Sequence, residues 1–247
     1  MWAHRVAMLL IGGLLLTGTA VRAADVVRVV TPVRPPYVVD AGAGFADGPS
    51  IRLLQRLAEL AGVAPAIEVV PFERAILMLD RGDALYPALM RTPAREGRYQ
   101  WVGEVFTDNA VVFTRRTAPA IRSLAEARVF GTVTVMRGSE LAALMRAEGL
   151  TNIGNETSDL DNARMLAAGR VDAWLAPSTV GRAVWEQLHL DPAMLQASAP
   201  VAALSFWIAA AKNFDPAILA RLRNAYAELL KTGEYDRIVA PLREAPY

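Results

Sequence analysis

The chain has 247 residues, 53% of them hydrophobic, with 26 basic against 25 acidic side chains and no cysteine. That length buries a core large enough to stand without disulfides, and the near balance of charge argues against nucleic acid or an anionic membrane surface as partner. With two histidines and no cysteine a zinc site of the usual kind is excluded, so no metal and no cofactor is expected.

Residues 1–23 read as a secretory leader. His4 and Arg5 precede an apolar run from Val6 to Leu16, and small residues lead to cleavage after about Ala23, with Val21 and Ala23 at the recognition positions. The run is too short to span a bilayer comfortably, and no cysteine follows it to carry a lipid anchor. A soluble, periplasmic product of about 224 residues is expected. The leader removes two arginines and no acid, so the net charge of +1 becomes −1.

The elements then alternate. Residues 26–32 (VVRVVTP) form a β-branched strand, and residues 49–62 a helix with Ile51, Leu54, Leu57 and Ala61 on one face, Ser50 as cap and Gly62 as stop. A strand at 66–71, a helix at 72–82 with Phe72, Ile76 and Leu79 on one face, and a strand at 83–90 follow. At residues 92–95 (TPAR) Thr92 has the chemistry of an N-cap and Pro93 suits a first helical position. Arg95 then falls near the positive end of a helix dipole, where a cation is disfavoured. It is either an ordinary solvated arginine or one that faces an anion.

The second half repeats the scheme: a strand at 128–136, a helix capped by Ser139 and closed by Gly149, a helix with Ser158 and Asp161 in a capping-box pattern, and a strand at 170–178. Met78-Leu79-x-x-Gly82 before Asp83-Ala84 is echoed by Met165-Leu166-x-x-Gly169 before Asp172-Ala173, which suggests two lobes of like design. An apolar strand at 204–211 leads to a helical tail with Ile218, Leu222, Tyr226 and Leu230 on one face. The pattern predicts an α/β fold in which ligand lies where strand carboxyl ends meet, between the lobes. Once the leader is gone His189 is the sole histidine, at a helix end, and no G-x-S-x-G elbow exists, so no catalytic residues are expected.

Pro35-Pro36-Tyr37, the Asp-Ala junctions, Thr92-Pro93-Ala94-Arg95, residues 135–140 (VMRGSE) and the terminal TGEYDRI occur in an order that resembles the family 3 periplasmic solute-binding proteins, receptors of polar amino-acid ABC transporters. The resemblance implies a two-lobed, type II periplasmic-binding-protein fold with two crossover strands, near residues 106–113 and 200–207, as hinge. One lobe comprises residues 24–108 plus 204–247, the other 109–203. It implies that Arg95 grips a ligand carboxylate, sharing the anion with N–H groups of its helix, while Gly138 and Ser139 grip from the other lobe. It also exposes departures. Pro177 stands where a carboxylate meets the ligand's α-ammonium in amino-acid binders, with Ser178 and Thr179 next. Met90 replaces a serine or threonine, and Arg34 stands where an aromatic often stacks. Anion lost and cation gained favour a ligand richer in negative charge or lacking an ammonium, unless Glu73 or Asp108 supplies the partner.

Arg34, Arg74 and Tyr37 complete the candidates. Arg74 faces either cleft or solvent; Tyr37 either stacks on ligand or packs beneath the loop at 41–48, whose glycines suggest a mobile rim. Trp101, Trp174 and Phe206 are expected in the core. The expected function is a monomeric, non-enzymatic receptor that closes over a small carboxylate-bearing solute and presents it to an inner-membrane permease. Two alternatives stand beside it: a sensory module docking to a receptor kinase, and a cyclohexadienyl-dehydratase-like enzyme with Glu73 or Glu140 as acid.

Overall fold

A computed structural model of the protein describes residues 25–243, so the leader expected at residues 1–23 lies outside the described residues. In chain order the elements are β1 (Asp25–Thr31), β2 (Val39–Gly42), β3 (Phe45–Asp47), α1 (Pro49–Ala61), β4 (Val63–Val69), α2 (Phe72–Arg81), β5 (Leu85–Met90) and β6 (Tyr99–Arg115). They continue with β7 (Val133–Met136), α3 (Glu140–Ala147), β8 (Ile153–Glu156), α4 (Asp159–Ala167), β9 (Ala173–Pro177) and α5 (Ser178–Gln187). The last are β10 (Leu195–Ala197), β11 (Ala202–Ala211), α6 (Pro216–Thr232) and α7 (Glu234–Arg243).

The sheet order β4-β1-β5-β11-β6-β9-β7-β8 has an internal symmetry, with β10 attached beside β6. On one side β1 pairs in parallel with β4 and β5; on the other β7 pairs in parallel with β8 and β9. Between them lie the long antiparallel strands β6 and β11, paired from Tyr99–Ala211 to Ala110–Ala202. These two strands belong to both lobes. The helix–glycine–Asp-Ala echo falls just before β5 and β9, the strands that flank this central pair at equivalent places.

Apolar periodicity places the helices. Leu53, Leu54, Leu57 and Ala58 of α1 are buried, and Gly62 ends the helix in the left-handed region (φ +65°), its N–H donating to the carbonyls of Ala58 and Glu59. Ser158 accepts from the Asp161 N–H and donates to the Asp161 carboxylate, so the capping pair at α4 is realised. Trp101, Trp174 and Phe206 are buried as expected.

Several local expectations need correction. Gly48, not Ser50, precedes α1, and the buried Ser50 hydroxyl has no partner. The tail is two helices broken at Gly233, and α6 buries Leu219, Leu222, Ala225 and Leu229 while Leu230 is exposed. The glycines at 42–48 turn a small β2–β3 hairpin.

The packing of α5 on β6 leaves no room at Gly181, where a Cβ would lie 2.0 Å from the ring of the buried Phe113. Gly181→Ala, ordinarily favourable inside a helix, should instead destabilise the protein by about 1–3 kcal/mol through overpacking. Thermal unfolding of the variant beside the wild type checks this, and an unchanged or raised Tm would refute it.

Candidate functional site

The carboxyl ends of β1, β4, β7 and β8 converge on one crevice between the lobes. It encloses a cavity of about 700 Å³, with walls that include Val33, Val70, Phe72, Met136 and Leu160, and with Arg34 and Asp159 among its polar lining. That volume lies in the range of small-molecule sites, and the strand-end location is where open α/β sheets take ligands.

Three ion pairs cross the crevice. Arg34, between β1 and β2, donates from Nε to Asp159 Oδ2 at the start of α4 (3.0 Å), and both side chains are almost fully buried. Arg95 Nε stands 3.0 Å from Glu140 Oε1 at the start of α3, but the contact is not aligned as a hydrogen bond; Arg95 Nη1 donates to the Met90 carbonyl (2.9 Å). At the rim Arg137 makes a forked pair with Glu73 (2.9–3.2 Å), half-exposed on both sides.

The two buried cations differ in how well they are answered. For Arg34, burial is the largest influence and pulls its pKa down, but Asp159, Tyr37 and Tyr86 together outweigh it and the net shift is upward. For Arg95 the net shift is downward: burial outweighs Glu140. A group held this way is stabilised further by any additional anion. Tyr86 on β5 senses both arginines. Burial pushes its hydroxyl up to about 12 against the pull of Arg34 and Arg95. The two buried guanidinium groups of lobe 1 are met by carboxylates from lobe 2.

The remaining candidates fall elsewhere or act differently than expected. Thr92, Pro93 and Arg95 form one 3-10 turn, not a helix, and the buried Thr92 hydroxyl caps nothing. No helix dipole therefore acts at Arg95, and no helix-terminal N–H groups share its anion. Met90 contributes only its carbonyl. The Ser139 hydroxyl accepts from the Ala142 N–H, which leaves its own O–H to donate, while the Ser139 backbone N–H donates to the Met136 carbonyl; Gly138 (φ +70°) lies against Glu73. Arg74 is exposed on α2 and takes no part in any recorded ion pair among the described residues.

Tyr37 and Ser178 both meet Asp108. Asp108, on β6 where the lobes join, accepts from the Tyr37 hydroxyl (3.0 Å), the Ser178 hydroxyl (2.7 Å), the Thr179 N–H (3.3 Å) and hydroxyl (2.6 Å), and the Asn109 N–H (2.6 Å). Tyr37 also packs on Phe106 and Phe206. Asp108 is buried and filled with donors, whereas Glu73 is half-exposed and paired with Arg137 at the rim. Asp159 and Asp161 line the cavity, and Glu140 stands against Arg95; sequence reasoning missed Asp159, read Asp161 only as part of a capping pair and offered Glu140 only as a dehydratase acid. The available signal for Asp159 and Glu140 was their place at helix starts, after capping serines.

The model for bacterial extracellular solute-binding proteins, family 3, matches residues 27–241. The chain belongs to this family. Among solved structures, a histidine kinase sensor domain with similarity to periplasmic binding proteins superposes with a TM-score of 0.80 at 22% identity, covering 89% of this chain and 96% of that one. An ancestral arginine-binding protein bound to arginine gives 0.78 at 21%, covering 89% and 99%. The ancestral amino acid-binding protein AncCDT-1, a precursor of cyclohexadienyl dehydratase, gives 0.75 at 19%, covering 88% and 95%. Comparison with curated proteins gives no match. At these identities the structures establish the fold, a two-lobed solute-binding fold with β6 and β11 as its crossover strands. No helix among the described residues is long and apolar enough to cross a membrane.

This solute-binding fold rests on the Asp108 cluster at its hinge. Asp108→Asn puts an amide N–H₂ among donors and leaves at least one of them unsatisfied, at about 1–3 kcal/mol. Chemical denaturation should show that loss, and a variant as stable as wild type would refute the hinge role.

Proposed function

We propose that the protein is an exported solute-binding receptor that closes over a small carboxylate-bearing solute, with Arg95 as the anchor, and presents it to an ABC-type permease. The carrying observation is Arg95 itself: a guanidinium withdrawn from water in the turn after β5, with its burial incompletely offset by Glu140. A planar guanidinium offers a carboxylate two parallel donors, and closure around such a contact is how two-lobed receptors signal occupancy. Arg34 and Tyr86 favour an anion at the same place, and the apolar walls of the cavity favour a ligand with an apolar body. The lobes meet, in this reading, at residues 108/109 and 203/204, inside the shared strands. The family's extracellular character supports the secretory reading of residues 1–23, and so the periplasm as location.

The likeness to a kinase sensor domain favours a second reading, in which the same binding event is reported to a receptor kinase. A dehydratase needs a protonated acid in the crevice. Both acids offered for that role are paired with arginines, Glu73 with Arg137 and Glu140 with Arg95, which argues for binding without turnover.

A thermal-shift screen of residues 24–247 against amino acids, di- and tricarboxylates, phosphonates and aromatic acids tests the reading. A ligand at about a hundred times its Kd adds roughly 2.7 kcal/mol, which is about 5–11 °C for a chain of this size. At least one carboxylate should produce such a shift in the wild type, and Arg95→Ala should abolish most of it. An undiminished shift in Arg95→Ala would remove Arg95 as the anchor, and the absence of any shift would count against a carboxylate.

A further inference from the structure

The ion pair at Arg95 uses a carboxylate belonging to the chain itself. Building on the carboxylate reading above, we propose that Glu140 is a specificity-determining residue that competes with the solute: its carboxylate pairs with the guanidinium of Arg95 and must leave when a solute carboxylate binds.

The geometry separates this pair from its neighbours. Arg34–Asp159 is a hydrogen-bonded pair with both side chains nearly inaccessible, and opening it would strand two buried charges. Glu73–Arg137 lies at the rim in water, where an ion pair contributes little and covers no binding group. Glu140 is intermediate. Its partner is buried at 3% exposure, whereas its own side chain is 22% exposed, so it can withdraw toward solvent while Arg95 cannot. The 3.0 Å Nε–Oε1 contact lacks hydrogen-bond alignment, and Arg95 Nε has no other partner. A free carboxylate, not tethered to the first residue of α3, can align its two oxygens with the guanidinium where Glu140 does not. Exchange of a constrained internal anion for an aligned external one is therefore downhill in hydrogen bonding and balanced in charge.

Competition sets a threshold. If Glu140 holds Arg95 for nine-tenths of the time, the apparent affinity for a carboxylate is lowered about tenfold, since only the unpaired fraction is competent. Solutes that engage Arg95 through a single neutral acceptor cannot replace the lost charge and are rejected.

The test compares wild type, Glu140→Gln, Glu73→Gln and Arg95→Ala by isothermal calorimetry with glutamate, succinate and benzoate as probes. Glu140→Gln should bind whichever probe the wild type binds about tenfold more tightly, or bind one that the wild type does not. Glu73→Gln removes the same charge from the crevice without freeing Arg95 and should gain much less; Arg95→Ala should not bind. Unchanged or weaker binding by Glu140→Gln, with wild-type binding intact, would make Glu140 a ligand contact and overturn the competition while leaving the receptor reading in place. An equal gain in Glu73→Gln would overturn it too, as an effect of overall charge. If no probe binds any of the proteins, the carboxylate reading fails and this inference falls with it.

Discussion

Two guanidinium groups are withdrawn from water where the lobes meet, and a buried cation is tolerated only if an anion or a set of acceptors meets it. Much of the crevice follows from that requirement. Arg34 and Arg95 stand on lobe 1, on the segments after β1 and β5; Asp159 and Glu140 stand on lobe 2, at the first residues of α4 and α3. At a helix start a carboxylate also faces the N-terminal N–H groups, so lobe 2 presents its anions where its own backbone stabilises them. The rim reverses the polarity, with Glu73 on lobe 1 and Arg137 on lobe 2. A displacement of one lobe along the other would bring like charges together, so the reversed pair disfavours slipped closures as well as favouring the observed one.

The hinge meets a different demand with different chemistry. β6 and β11 must bend between lobes without exposing polar backbone, and Asp108 gathers donors from both sides of the junction: Tyr37 from the segment after β1, Ser178 and Thr179 from the start of α5. The stacked rings of Phe106 and Phe206, with Tyr37 against both, fill the space beneath. Polar residues that a binding-site reading would spend on a ligand are here spent on the joint.

This division explains what was legible in the sequence. Strand and helix order could be read because each element carries its own period and its own stops, as with Gly62 and the Ser158–Asp161 pair. The repeat could be read because the same junction is written twice. Arg95 could be singled out, though for a reason the structure withdraws, since the turn it occupies is too short to have a dipole. The partners of Arg95 and Arg34 could not be read, because Glu140 and Asp159 look like ordinary first-turn acids until the lobes are brought face to face. The shared partner of Tyr37 and Ser178 could not be read, because nothing local in RPPY or APST marks it; both contact Asp108, 71 and 70 residues away.

The loss of the usual ammonium partner at Pro177 takes on a different meaning beside these pairs. A site that had merely exchanged an anion for a cation would be left with excess positive charge. Here Arg34 comes with Asp159, and Arg95 comes with Glu140, so each buried guanidinium is answered by a carboxylate of the other lobe. In the receptor reading proposed above, a solute favours closure only if it binds the closed state better than the resident carboxylate does. On that reading discrimination rests on alignment at Arg95 more than on charge alone.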